Sequence, residues 1–204
     1  MLSLNFNSEH PPFEKTIQLY GDRAGGQGNF EFAGFADLKE VKVVLLKGNT
    51  ESLEQPADWR RLLRLITLAQ RFKKPVVLWN LPLIRIATTE HHAFLTLGAA
   101  IQNAKIHLLK LSQPIITVFD GNYNWNDIVL KELGWADGCV VVKPEKEELS
   151  VVSKMKSQNL KIVDEQADIS QQLLNLLQET STVSSTELIA NRLESFRLPT
   201  ESQR

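Results

Sequence analysis

Two short segments hold the residue types that could do chemistry. Asn80-Leu81-Pro82-Leu83-Ile84-Arg85 follows an apolar run of strand length, and Asp120-Gly121-Asn122-Tyr123-Asn124-Trp125-Asn126-Asp127 follows another. In open α/β sheets ligands sit just beyond the carboxyl ends of strands. Asn80, Leu83, Arg85, Asp120, Gly121, Asn122, Tyr123 and Trp125 are therefore the candidate residues of a ligand-binding crevice. Asp120 and Asp127 could form a carboxylate pair for acid–base work, although acidic residues in loops ordinarily serve as solvated turn residues. Gly25-Gly26-Gln27-Gly28 could cradle an anion through its amides, but it lacks the lysine and hydroxyl residue of a P-loop and reads as a flexible connector. His91 and His92 point about 100° apart on a helix, and no acidic residue completes a metal-binding spacing, so both read as surface residues. The sequence carries no nucleophile elbow, dinucleotide fingerprint or zincin motif. No catalytic residue and no metal ligand is assigned.

These segments are positioned by strands alternating with helices. Pro75 to Asn80, Ile115 to Phe119 and Gly138 to Val142 are apolar without alternation, the pattern of strands buried on both faces of a parallel sheet. The spacing predicts a helix capped by Asp58 and ending at Lys73–Lys74, because the residue before Pro75 is pushed out of the α region. Leu62, Leu65, Ile66, Ala69 and Phe72 share its apolar face; Arg60, Arg61, Arg64 and Arg71 read as a solvated basic edge. Earlier, Thr16 to Tyr20, Phe30 to Phe35 and Val41 to Leu46 read as strands, the last two as a hairpin turned at Asp37 to Glu40. Later helices are predicted from Thr89 to Leu111, Trp125 to Leu133, Glu145 to Ser157 and Ile169 to Gln178. Leu160 to Val163 reads as a short strand or edge, and a last amphipathic helix after Ser184 or Ser185 carries Leu188, Ile189, Leu193 and Phe196. The pattern is that of one α/β domain with a largely parallel sheet.

Composition excludes several classes. The 204 residues suit one domain, and 43% hydrophobic with 23% charged residues is an ordinary globular balance. A formal charge of −1 gives no general attraction to nucleic acid or anionic lipid. Cys139 is the single cysteine, so no intramolecular disulfide forms, and its place inside an apolar strand predicts a buried, unreactive thiol. With no basic-then-apolar leader and no run of membrane-spanning length, the chain is expected to lie in the cytoplasm and outside the membrane.

Several segments, in order, resemble the carboxyltransferase alpha subunit of multisubunit acetyl-CoA carboxylase, of the crotonase-like superfamily. They are Gly21-Asp22-Arg23-Ala24, Ala69 to Pro75 with the two valines after it, Leu111 to Val118, and Ser185 to Arg192. The resemblance spans roughly Leu19 to Leu198. It implies a single crotonase-like (ClpP/crotonase) domain over residues 16–198, between an irregular arm at 1–15 and a tail at 199–204. It also implies a reaction that moves a carboxyl group from biotin to the enolate of acetyl-CoA, with backbone amides at glycine-rich turns stabilising the oxyanions. On this reading the arginines of the helix after Asp58 offer an alternative role as a seat for coenzyme A phosphates.

The two turns depart from that pattern. Where the family has Asp-Thr-Pro-Gly after its first strand, this chain has Asn80-Leu81-Pro82-Leu83. Where the family has a Gly-Glu-Gly-Gly-Ser-Gly-Gly run, this chain has Asp120 to Asp127 with a single glycine out of register. Leu83, Tyr123 and Trp125 are expected to fill the pocket, while Asp120 and Asp127 oppose developing negative charge. Losing one oxyanion donor costs on the order of 10²–10³ in rate. The expectation is a catalytically impaired relative acting as a binding or assembly subunit, as a homo-oligomer or with a carboxyltransferase beta-type subunit. The alternatives are an active subunit forming malonyl-CoA for fatty-acid synthesis and a non-catalytic binder of acyl-CoA or another small ligand. The chain is assigned no cofactor of its own, and acetyl-CoA, malonyl-CoA or carboxybiotin would bind only if the family activity is retained.

Overall fold

The computed structural model describes residues 12–22, 24–49, 52–81, 91–120, 135–142, 159–164 and 168–195. Seven strands form one sheet in the order of the chain: β1 (Lys15–Gln18), β2 (Phe32–Leu38), β3 (Val41–Lys47), β4 (Val76–Trp79), β5 (Ile115–Phe119), β6 (Gly138–Val142) and β7 (Asn159–Val163). The first two pairings are antiparallel, and the four from β3 to β7 are parallel. Four described helices are α1 (Pro56–Phe72), α2 (His91–Leu109), α3 (Ile169–Ser181) and α4 (Ser185–Ser195). The helices predicted at Trp125 to Leu133 and Glu145 to Ser157 lie outside the described residues.

The three apolar runs are adjacent central strands, with Val77 paired to Ile116 and Thr117 to Cys139. Every residue of β4 and β5 is buried because both faces are covered. Val76, Leu78 and Ile115 pack in one cluster with Leu62, Leu65 and Ile66 of α1 and Leu97 and Leu108 of α2. Their alternates Val77, Trp79, Ile116 and Val118 pack with Leu173, Leu176 and Leu177 of α3. Cys139 is fully buried, and burial pushes its thiol up to about 12.

Local details differ from the sequence reading at three points. The β2–β3 turn is only Lys39-Glu40, with Lys39 in the left-handed region (φ 52), because Asp37 and Leu38 still pair with Lys42 and Val41. Asp58 does not occupy the N-cap of α1; Gln55 does, and Asp58 stands at the third helical position, accepting from the Gln55 amide at 3.4 Å. Phe13, in the segment read as an irregular arm, is buried with its ring edge-on to Trp79 at 6.0 Å, so the packed structure begins ahead of Thr16.

Gly34 of β2 is where β1 comes closest. A Cβ there would overlap the carbonyl oxygen of Ile17 and stand 3.0 Å from Gln18 Cα, so only glycine lets β1 pair at this distance.

Candidate functional site

The carboxyl ends of β4 and β5 lie side by side, and the residues immediately after them are tied together. Trp79 Nε1 donates to Asp120 Oδ2 at 2.9 Å, and Asn80 Nδ2 donates to Asp120 Oδ1 at 2.6 Å. The Asp120 amide returns a bond to Asn80 Oδ1 at 3.1 Å. Asn80 itself turns the chain out of β4 in the left-handed region (φ 46), a conformation asparagine tolerates better than most side chains. Its amide stays in the sheet, donating to Val118 at 2.9 Å.

The structure thus brings together Asn80 and Asp120 of the eight candidate crevice residues. Leu83, Arg85, Gly121, Asn122, Tyr123 and Trp125 lie outside the described residues, as does Asp127. The residue sequence reasoning missed is Trp79, read only as the apolar end of a strand. Its indole N–H needs a partner when buried, and that requirement is the signal that points to a nearby acceptor.

A second polar cluster surrounds residues 19–28 and corrects two sequence readings. The Gly25 to Gly28 stretch is clamped to α1. Asp22 accepts from the amides of Ala24 and Gly26, both at 2.8 Å, and from Arg60 Nε at 2.7 Å. Gly28 (φ 67) sits against Asp58, whose Oδ1 accepts from the Asn29 amide at 2.5 Å, and a Cβ at Gly28 would overlap that oxygen. Arg61 is 3% exposed rather than solvated, and donates to the carbonyls of Leu19 and Gln27. Arg64 donates to Tyr20 and Gly21, and Arg71 lies over the Phe72 ring. Three of the four arginines of α1 are thus committed to holding this loop, where carbonyl oxygens complement guanidinium donors.

Burial alone would raise the Asp22 carboxyl, but Arg60 and the two amides outweigh it and hold the group below its ordinary 3.8. A depressed folded-state value means stability that is present above 3.8 and lost as pH falls through the folded value. The difference in melting temperature between the native protein and Asp22→Asn should therefore be largest near neutrality and shrink on acidification below pH 3.8. A difference that stays constant from pH 7 to pH 2 would show that the clamp is not electrostatic.

At the amino ends of the strands, Arg192 of α4 is 1% exposed and reaches Asp137 with Nε at 2.8 Å and with its terminal nitrogen at 2.5 Å. Its other bonds go to the carbonyls of Leu108, Leu111 and Gln113. This cluster anchors the last helix and lies at the opposite end of the sheet from Asn80 and Asp120. Among the described residues no group of three or more His, Cys, Asp or Glu side chains could hold a metal ion. No described helix is long and apolar enough to cross a membrane.

No family model matches the sequence. The alpha subunit of acetyl-coenzyme A carboxylase carboxyl transferase from Clostridium beijerinckii is 28% identical over 127 residues, 53% of this chain and 44% of that protein. Its counterpart from Clostridium botulinum is 29% identical over 123 residues, 53% of this chain and 43% of that protein. The match spans less than half the length of either relative. Among solved structures, enoyl-CoA hydratase from Bacillus halodurans superposes with a TM-score of 0.54 at 8% identity, over 78% of this chain and 84% of that one. An enoyl-CoA hydratase/carnithine racemase from Magnetospirillum magneticum gives 0.50 at 10% identity, over 80% and 78%. At such identities the likeness speaks to fold alone. The chain has a crotonase-like α/β fold, and its sequence is similar to that of acetyl-CoA carboxylase carboxyl transferase alpha subunits.

Proposed function

We propose that the chain is a carboxyltransferase-alpha-like subunit that binds and assembles without performing carboxyl transfer. The observation that carries this reading is the Asp120 carboxylate at the end of β5, fixed by Trp79 and Asn80. Carboxyl transfer to a thioester enolate develops negative charge on oxygen, and it is accelerated by donors aimed at that oxygen. Here the strand ends present a carboxylate instead, and both ends of the Asn80 side-chain amide are already bonded to Asp120. The replacement of the family's glycine run by Asp120 to Asp127 supports the same reading from sequence.

The partner in this reading is a second copy of the chain or a carboxyltransferase beta-type subunit, and the compartment is the cytoplasm. No nucleic acid and no cofactor enter it. The relatives bear the name of an alpha subunit, and Leu193 of α4 is 50% exposed, which leaves an apolar side chain on the last helix for such a contact. The test supplies a beta-type subunit, carboxybiotin and acetyl-CoA, then measures malonyl-CoA formation beside an intact alpha–beta pair. Expected is complex formation by light scattering with no product above the beta-subunit blank. Robust turnover would establish the active alternative and overturn the proposal.

A further inference from the structure

We infer that the chain has a second binding site, at the β1–β2 edge of the sheet beside the end of α1, which takes an amphipathic anion with an alkyl or aryl body. A cavity of about 430 Å³ opens between β1, β2 and the end of α1. That volume lies in the range of small-molecule sites. Its floor is apolar: Ile17, Phe35 and Phe72, the two rings edge to face at 5.8 Å. Phe72 is 51% exposed, so a large aromatic face is left to water at the cavity.

Charge gives the site its sign. Lys15, Lys42 and Lys74 line it with a single carboxylate, Asp37, leaving three ammonium groups against one carboxylate. Strand pairing builds the arrangement, because Lys15 is opposite Asp37 and Asp37 is opposite Lys42 across three strands. Ile17 and Phe35 are paired two residues along on the same face. Among the described residues none of these three lysine side chains has an ion pair or hydrogen bond. Lys47 and Lys161, by contrast, each pair with a glutamate. Unpaired cations at the rim of an apolar floor complement a ligand that carries its charge at one end. The site lies toward the opposite ends of the strands from Asn80 and Asp120, since Lys42 opens β3 and Lys74 precedes β4 whereas Asn80 and Asp120 follow β4 and β5. It is independent of the reading given for that crevice.

Decanoate, held below its micelle-forming concentration, is the probe, followed by calorimetry and by backbone amide shifts. Decylamine supplies the same chain with opposite charge, and inorganic phosphate supplies charge without a chain. Decanoate alone should bind, with shifts concentrated at Ile17, Phe35, Lys42 and Phe72. The double variant Lys42→Glu/Lys74→Glu should weaken it by at least about tenfold, and Phe72→Ala should weaken it through the lost apolar floor. Lys39→Glu, on the neighbouring turn, should leave it unchanged. Melting curves establish that each variant is folded before binding is read. Equal binding of decylamine, shifts centred elsewhere, or full affinity in the folded double variant would each overturn the site. None of these results bears on malonyl-CoA formation, so the two proposals fail separately.

Discussion

Replacing Arg192 by leucine should lower the free energy of unfolding by about 3–5 kcal/mol, the usual cost of leaving one member of a buried ion pair behind. Asp137 loses both guanidinium contacts and keeps only the bond from the Ile115 amide at 2.7 Å. The carbonyls of Leu108 and Leu111, at the end of α2, lose their donor as well, and helix ends have few other partners. Burial already pushes the Asp137 carboxyl above its ordinary 3.8, with Arg192 opposing that rise. A raised folded-state value gives stability that is full below 3.8 and lost as pH rises through the folded value. Removing Arg192 raises that value further, so the deficit should be larger at pH 7 than at pH 4. Urea unfolding at both values measures it. Adding Asp137→Asn should restore part of the loss by removing the stranded charge. A single-variant loss under about 1 kcal/mol at pH 7 would mean that α4 is not anchored through this residue.

Gly34→Val should cost about 3 kcal/mol, at the upper end of overpacking effects, because the obstruction is backbone and cannot rotate away. The new side chain would meet the Ile17 carbonyl and Gln18 Cα, forcing β1 from β2. Hydrogen exchange should show faster exchange in β1 while the amides of β4 and β5 remain protected. Gly34→Ala should show the same pattern to a smaller degree. An unchanged exchange rate in β1 would mean that the strand accommodates the side chain by moving elsewhere. Decanoate binding should weaken together with β1 protection, since Lys15 and Ile17 belong to the cavity.

The sheet interior was legible because burial on two faces leaves a local mark: uninterrupted runs such as Val76 to Trp79 and Ile115 to Phe119. The ends of α1 were legible to within a turn, since Pro75 constrains its neighbour whatever surrounds it. Pairings of distant charges leave no such mark. Asp22 meets Arg60 across 38 residues and Asp137 meets Arg192 across 55, and nothing near either residue announces its partner. Arginine is rarely buried, so residue type alone places Arg61 in solvent, whereas the carbonyls that bury it belong to Leu19 and Gln27. Asn80 and Asp120 do stand just past β4 and β5, where the strand pattern puts them. Their bonds to each other and to Trp79 depend on the registry of β4 against β5, which residue types do not encode.

Strand order has a consequence for how the molecule is made. From β1 to β7 each strand pairs with the one just before it in the chain, so among the described strands none waits for a distant partner. During synthesis an emerging strand finds its template already exposed, and the sheet can lengthen at one edge as the chain leaves the ribosome. Arg192 comes last and reaches back to Asp137 and to the end of α2. It closes the ion pair only after the seven described strands have been made, a late latch on a fold that can assemble in the direction of translation.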